Sequence, residues 1–207
     1  MTKKVLLIGA SGGVGKSCAK LLSANNYSVT EWSSKNLDLN LPENIFQCDF
    51  SSYDILINCA GHSQGTYRGF LQNSWQNQVS QIMVNYVSAL GLLKHYALSR
   101  KHGKYVWCSS DRIDTPTVYQ SVYASSKAGT KFAMDLIRKE LTHISILEVK
   151  FGLTKTNFRS RNFEGTKTSQ EVEQSYGDDD ILYPEQIAKN MLYGIENDLE
   201  EVKIKYE

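Results

Sequence analysis

The 207-residue chain carries almost no net charge, with 23 Lys and Arg against 22 Asp and Glu, a balance of +1. That excludes the basic footprint expected of a nucleic-acid or anionic-membrane binder. No apolar run approaches the roughly 18 residues of a membrane span. Met1-Thr-Lys-Lys leads straight into a strand-like run, without the apolar core and cleavage site of a secretory leader. The four cysteines (Cys18, Cys48, Cys59 and Cys108) are scattered, with no Cys-x-x-Cys and no His at ligand spacing. Neither a disulfide framework nor a metal site is therefore expected. Internal repeats and low-complexity tracts are also missing. What remains is 41% apolar and 22% charged, the composition of an ordinary globular protein. The length suits one domain over residues 1–207. Reduced, mostly buried thiols and a cytoplasmic location are expected.

Val5 to Ile8 is a continuous apolar run, as for a strand covered on both faces. Gly9-Ala-Ser-Gly-Gly-Val-Gly15 follows, then a helical segment from Lys16 to Ala24. Strand, glycine-rich turn and helix form a phosphate cradle. Glycine lets backbone approach the oxygens, and the helix N-terminus offers free N–H groups and partial positive charge. The turn fits two patterns. Gly9, Gly13 and Gly15 read as the dinucleotide turn Gly-x-x-x-Gly-x-Gly. Ala10 to Ser17 reads as a P-loop with alanine for its first glycine and Lys16 and Ser17 as ligands. Such an NTPase needs an aspartate at the C-terminal end of an apolar strand. Here Asp54 precedes the run Asp54-Ile-Leu-Ile-Asn58, which ends in asparagine. Ser11 also stands where partitioning-type ATPases carry a lysine. The P-loop ATPase is the weaker alternative.

Tyr27 to Trp32 reads as a second strand. The corner 18 residues beyond Gly15 is Ser33-Ser34-Lys35, with no carboxylate. Two hydroxyls and an ammonium suit a phosphate, whereas an acid there would bind a ribose. Glu31 is the nearest acid. Asn36 to Leu39 is a short strand candidate. Trp75 to about His102 has helical spacing, as two consecutive helices. Lys104 to Cys108 is a strand ending in Ser109-Ser110, and Ile144 to Lys150 is the sixth. Tyr123 and Lys127 lie four apart in a helical segment, Val122 to Leu141, and so share a face. A nearby cation lowers a phenol's pKa from its usual value near 10. Pro184 opens a helix running to about Glu196, and Val202 to Tyr206 is a last strand.

Several pieces in this order resemble the short-chain dehydrogenase/reductase family, and its 3-oxoacyl-[acyl-carrier-protein] reductase-like members in particular. They are the glycine turn, Asn58-Cys-Ala-Gly61 for Asn-Asn-Ala-Gly, Asn85, Ser110, Tyr123-x-x-x-Lys127 and Phe151-Gly152-Leu-Thr-Lys-Thr156. Ile8, Cys59 and Phe151 depart from the family pattern. The resemblance implies an α/β fold, a doubly wound (Rossmann) parallel sheet of about seven strands with helices on both faces. It implies hydride transfer between a nicotinamide and a carbonyl or alcohol. Ser110, which precedes Tyr123 by 13 residues, would bond the substrate oxygen. Tyr123 would move the proton, Lys127 would bind ribose and lower the tyrosine pKa, and Asn85 would link Lys127 to solvent through water.

Cofactor contacts would come from Gly9, Ser11, Gly12, Gly13, Val14, Gly15, Ser33, Ser34, Lys35, Asp38 (against the adenine), Leu39, Asn58, Cys59, Ala60, Gly61, Tyr123, Lys127, Gly152, Thr154 and Thr156. NADP suits the Ser33–Lys35 corner, with NAD the alternative. Residues 157–183, with Arg159 and Arg161, would form a substrate lid. A homodimer through the Asn85–Lys101 and Tyr123–Leu141 helices is expected, acting on a small-molecule substrate without nucleic acid or membrane. The other reading on the same fold is a catalytically silent dinucleotide sensor.

Overall fold

The computed structural model describes residues 2–163, 167, 171 and 181–205. Six strands make one parallel sheet: β1 Lys4–Ile8, β2 Ser28–Trp32, β3 Ile55–Asn58, β4 Gly103–Cys108, β5 Ile144–Lys150 and β6 Glu201–Lys203, in the order β2-β1-β3-β4-β5-β6. Strand order reverses at β1, so the carboxyl ends of β1 and β3 open a crevice. Helices α1 Gly13–Ala24 and α6 Pro184–Glu196 cover one face. Helices α3 Ser88–Ser99 and α4 Ser121–Glu140 cover the other. The alternation of side chains along each strand divides the core accordingly. Val5, Leu7, Ile55, Ile57, Val106 and Leu147 pack under α1 and α6. Leu6, Ile8, Leu56, Tyr105, Trp107 and Ile146 pack under α3 and α4. Both faces are buried, which is why β1 and β3 read as near-continuous apolar runs.

The expected sheet of about seven strands thus has six among the described residues. The difference lies at Asn36–Leu39, which is a turn and not a strand. Ser33 and Asn36 bond each other locally, and Leu37 and Leu39 fall into the core. A 3-10 helix, Pro42–Gln47, then carries the chain to β3. Only about a dozen residues were available for a full crossover. The N-terminal helix begins earlier than expected, at Gly13, because the glycines themselves make its first turn. The two helices expected from Trp75 to His102 are one continuous run, α2 Trp75–Ile82, a π-helical turn Met83–Val87, and α3. The last strand, expected over Val202–Tyr206, runs Glu201–Lys203 and has ended by Ile204, while Tyr206 lies outside the described residues. Within the expected lid, helix α5 Phe158–Phe163 is described. Gly165, Gly177 and Asp178 to Asp180 lie outside the described residues. No helix among those described is long and apolar enough to cross a membrane.

Candidate active site

Four loops meet at the carboxyl edge of the sheet. The first leaves β1. Gly9 takes φ +82°, a left-handed conformation that glycine tolerates, and a Cβ there would lie 2.6 Å from the Ala60 nitrogen. The Gly9 and Ala10 amides donate to the Trp32 carbonyl at 2.9 and 3.0 Å, tying the turn to β2. Gly12 caps α1 without a side-chain bond, and its first turn holds no acid. The first N–H groups and the positive end of the dipole therefore face the cavity unneutralised. The second loop, after β3, is shaped by Asn58. Its Oδ1 accepts from the Ala60 amide at 3.0 Å, and its Nδ2 donates to the Tyr105 hydroxyl at 3.4 Å. The third follows β4 and carries Ser110. The fourth follows β5 and carries Gly152, Thr154 and Thr156.

These loops and α4 enclose a cavity of about 360 Å³. Among the residues singled out from sequence, its walls include Ser11, Gly12, Gly13, Val14, Gly15, Cys59, Ala60, Gly61, Ser110, Tyr123, Lys127, Gly152, Thr154 and Thr156. Gly9, Asn58 and Asn85 lie behind the walls as supports. Ser33, Ser34, Lys35 and Asp38 sit outside the cavity, past the end of β2. Asp38 accepts from both nitrogens of Asn40 at 2.9 and 3.1 Å. Leu39 is a core residue whose carbonyl accepts from the Ser88 hydroxyl at 2.6 Å, so its side chain is not free for a cofactor.

Ser110 is buried, and its Oγ accepts from the Arg112 amide at 3.2 Å. It also stands beside the phenol of Tyr123. Burial pushes that phenol's pKa up to about 12, and the Ser110 hydroxyl acts against the rise. The expected lowering of the tyrosine pKa by Lys127 is thus not what the protein alone displays. Lys127 is buried, and its Nζ donates to the Cys108 carbonyl at 2.9 Å. Burial lowers the Lys127 pKa. Asn85 sits in the π-turn with its side-chain amide fully used. Its Oδ1 accepts from the His62 amide at 2.9 Å, and its Nδ2 donates to the His62 carbonyl at 2.8 Å and to Ser126 Oγ at 3.0 Å. Its carbonyl accepts from Thr130 Oγ1 at 2.8 Å. Asn85 here is a clamp between two helices and a loop.

The P-loop reading fails on geometry. Ser17 Oγ donates to Glu185 on α6 at 3.0 Å and is turned away from the turn's N–H groups. Sequence reasoning missed several cavity residues, Gln120, Arg112 and Tyr67 among them. Gln120, just before α4, is buried and donates to the Tyr67 hydroxyl at 3.0 Å. Arg112 follows Ser110. Gln120 and Arg112 each flank a motif residue, which was the available signal. Tyr67, in a loop after β3, had none.

The sheet order, the glycine cradle and the serine, phenol and amine at one sheet edge define a dinucleotide-type α/β oxidoreductase. The chain belongs to the short-chain dehydrogenase family, whose model matches residues 41–167. Among curated relatives, it is 26% identical to an NADP-dependent 3-hydroxy acid dehydrogenase of Schizosaccharomyces pombe, over 93% of this chain and 86% of that one. It is 24% identical to carbonyl reductase family member 4 of Xenopus laevis, over 95% and 92%. A crystal structure of a small-chain dehydrogenase in complex with NADPH superposes with a TM-score of 0.81 at 20% identity, covering 98% of this chain and 97% of that one.

Proposed function

We propose that the protein is an NADP(H)-dependent oxidoreductase in which Ser110, Tyr123 and Lys127 serve reversible hydride transfer to a small carbonyl compound. The observation that carries this is the cavity itself, with the α1 N-terminus on one wall and Ser110, Tyr123 and Lys127 on the other. A dinucleotide fits these residues. A Cβ on Gly12 would meet only the Gly9 carbonyl, at 3.4 Å, so that side of the turn is open to a pyrophosphate. Gly13 to Gly15 supply N–H groups, and Lys16 a cation, beside it. The relatives named above support NADP over NAD, and Ser33, Ser34 and Lys35 beyond β2 suit its 2′-phosphate.

The nicotinamide supplies or takes the hydride. Ser110 holds the substrate oxygen and the phenol together. Tyr123 Oη gives its proton to that oxygen in reduction and recovers it in oxidation. Lys127, anchored on the Cys108 carbonyl, places a cation beside the reacting groups. Residues 157–163 cover the cavity's outer side, with Phe158 6.2 Å from the Tyr123 ring. Arg159 and Arg161 line the same wall and suit a substrate carboxylate or other anion. The chain assembles as a homodimer through α3 and α4, supported by exposed Val87, Leu98, Phe132 and Leu136. The test is NADPH oxidation against a panel of 3-oxo acids, ketones and aldehydes, with NADH in parallel. Turnover with NADPH and not NADH is expected. Binding of NADPH without turnover of any carbonyl favours the sensor reading instead.

A further inference from the structure

Two of the cavity's wall residues carry sulfur and take no part in hydride transfer. Cys59 follows β3 and Cys108 ends β4. The register pairs Asn58 with Trp107, so the next residues on the two strands are neighbours. Both side chains point to the face covered by α1 and α6. Their Sγ atoms lie 3.6 Å apart in an S–H···S contact. Neighbouring strands run about 4.8 Å apart, inside the roughly 4.4–6.8 Å Cα spacing that a disulfide bridges. Closing the sulfurs to about 2.05 Å asks for a side-chain rotation and a small backbone shift. Both residues line the cavity, so a small molecule reaches them from the cofactor side.

The two thiols are also unequal. The contact with Cys59 and then the Lys127 charge hold Cys108 below its usual range, against burial. The same contact holds Cys59 well above, aided by Cys18 and by burial. Lys127 Nζ sits on the Cys108 carbonyl at 2.9 Å and so favours a thiolate at Cys108, with the Cys59 sulfur 3.6 Å away as its resolving partner. Neither of the other two cysteines lines the cavity. Cys18 directs its S–H at the Met191 sulfur, 3.6 Å away in the core. Cys48 lies on the opposite face, bonded to the Asn44 carbonyl at 3.5 Å.

We propose that Cys59 and Cys108 are an oxidisable dithiol, reached through the cofactor cavity by a small hydroperoxide and closed by it to a disulfide. The Cys108 thiolate attacks one peroxide oxygen. An S–O bond forms, the O–O bond breaks, and the departing hydroxide takes a proton to become water. The Cys59 sulfur then attacks the sulfenic sulfur of Cys108. The S–S bond forms, the S–O bond breaks, and hydroxide leaves with the Cys59 proton as a second water. Two thiols give up two electrons and one hydrogen peroxide takes them. A dinucleotide in the cavity stands between oxidant and thiols, an arm that rests on the proposed cofactor.

The full-length protein is treated with equimolar hydrogen peroxide, denatured, alkylated and mapped by peptide mass spectrometry. A peptide linking Cys59 to Cys108 is expected, with Cys18 and Cys48 still alkylated. In Cys59→Ser the bridge is lost and Cys108 gives a dimedone-trapped sulfenic acid. Cys59 and Cys108 both fully alkylated while Cys48 oxidises, or a bridge made by Cys18 instead, overturns the proposal. A repeat with saturating NADPH follows binding separately, by nicotinamide fluorescence. Slower bridge formation is expected. Bound NADPH with no slowing overturns the cavity route. Failure of NADPH to bind counts against the cofactor, and the peptide map then decides the dithiol by itself.

Discussion

Asn85 holds both backbone groups of His62, accepting from its amide at 2.9 Å and donating to its carbonyl at 2.8 Å. The third bond, to Ser126 Oγ at 3.0 Å, ties this loop to α4 one residue before Lys127. One side chain thus fixes the Gly61–His62 wall against the helix that carries the phenol and amine. The π-turn around Asn85 directs the amide inward, and such turns concentrate at functional sites. Asn85→Ala leaves two backbone groups of His62 without partners. It should cost about 1–3 kcal/mol of stability, read by chemical denaturation. Asn85→Asp keeps the acceptor and loses the donors, so it should fall between wild type and alanine. Equal stability of all three proteins would contradict the clamp.

Tyr123 gives a prediction with a definite sign. Its folded pKa is pushed up to about 12 by burial, above the unfolded value near 10. The native state therefore keeps a proton that the unfolded chain releases in this window. This contribution to stability is complete below about pH 10 and is lost as pH rises toward 12. Tyr123→Phe should flatten the alkaline limb of the stability curve. It should also bind NADPH normally and lose turnover by about 10²-fold or more. Ser110→Ala removes the hydroxyl that opposes the rise, so the phenol should titrate higher still, followed by phenolate absorbance. A Tyr123 titration at or below the free-tyrosine value in the cofactor-free protein would refute this account.

The legible parts of this protein were those fixed by local chemistry. β5 and α6 were readable to the residue, because the Phe151-Gly152 motif marks where the strand ends and Pro184 marks a first helical turn. Asn36–Leu39 misled because Leu37 and Leu39 alternate like a strand. They do face the core, but Ser33 and Asn36 satisfy the backbone locally and no ladder forms. Among site residues, the cradle and the Ser110–Tyr123–Lys127 set were readable from spacing. The Cys59–Cys108 contact was not, since it depends on the register of β3 against β4, which no local pattern reveals. Nor was the direction of the Tyr123 shift, because burial of a side chain is a property of the assembled walls.

The glycine turn separates two kinds of crowding. A Cβ on Gly13 would lie 2.5 Å from Cγ2 of Thr156, a side chain that can rotate away. A Cβ on Gly15 would lie 2.8 Å from the Ala10 Cα and would meet the Gly9 carbonyl, which are backbone. Alanine gains about 1 kcal/mol of helix propensity at either site. That offsets the strain at Gly13 and not at Gly15. Gly15→Ala should therefore raise the NADPH Kd by about tenfold or more, and Gly13→Ala by less. Isothermal titration measures both, and the reverse order would show that the turn is not held against β1 as described.

The proposed dimer rests on apolar side chains that α3 and α4 leave exposed. Phe132 is 69% exposed and Leu98 74% exposed. Phe132 and Leu136 are one turn apart on α4 and share a face. Neither touches the cavity. A charge there faces desolvation in an interface and nothing in a monomer. Phe132→Glu should give a monomer by sedimentation, with its folding cooperativity kept. A wild-type protein that sediments as a monomer removes this interface outright.

Glu148 is the buried charge whose cost can be measured. It lies on β5 facing α4, with no solvent exposure, 3.3 Å from the Lys131 ammonium and 3.9 Å from Lys150. Burial raises its pKa despite the nearby Ser109 hydroxyl and the two lysines. The folded protein therefore holds a proton that the unfolded chain has already lost. Stability falls as pH rises from the ordinary carboxylate range through the raised folded value. Removing one partner of a buried pair is usually harmful, because the other is left charged and alone. Here neither is left alone. Lys131 keeps Asp135 at 2.6 Å, and Lys150 keeps Asp114 at 3.4 Å and Glu201 at 3.7 Å. The desolvation cost should therefore win. Glu148→Gln should be more stable than wild type by about 1 kcal/mol at neutral pH, and the two should converge in acid. Denaturation curves at a series of pH values measure the gap. A gap that widens as pH falls would mean that the ion pairs, and not burial, govern this residue.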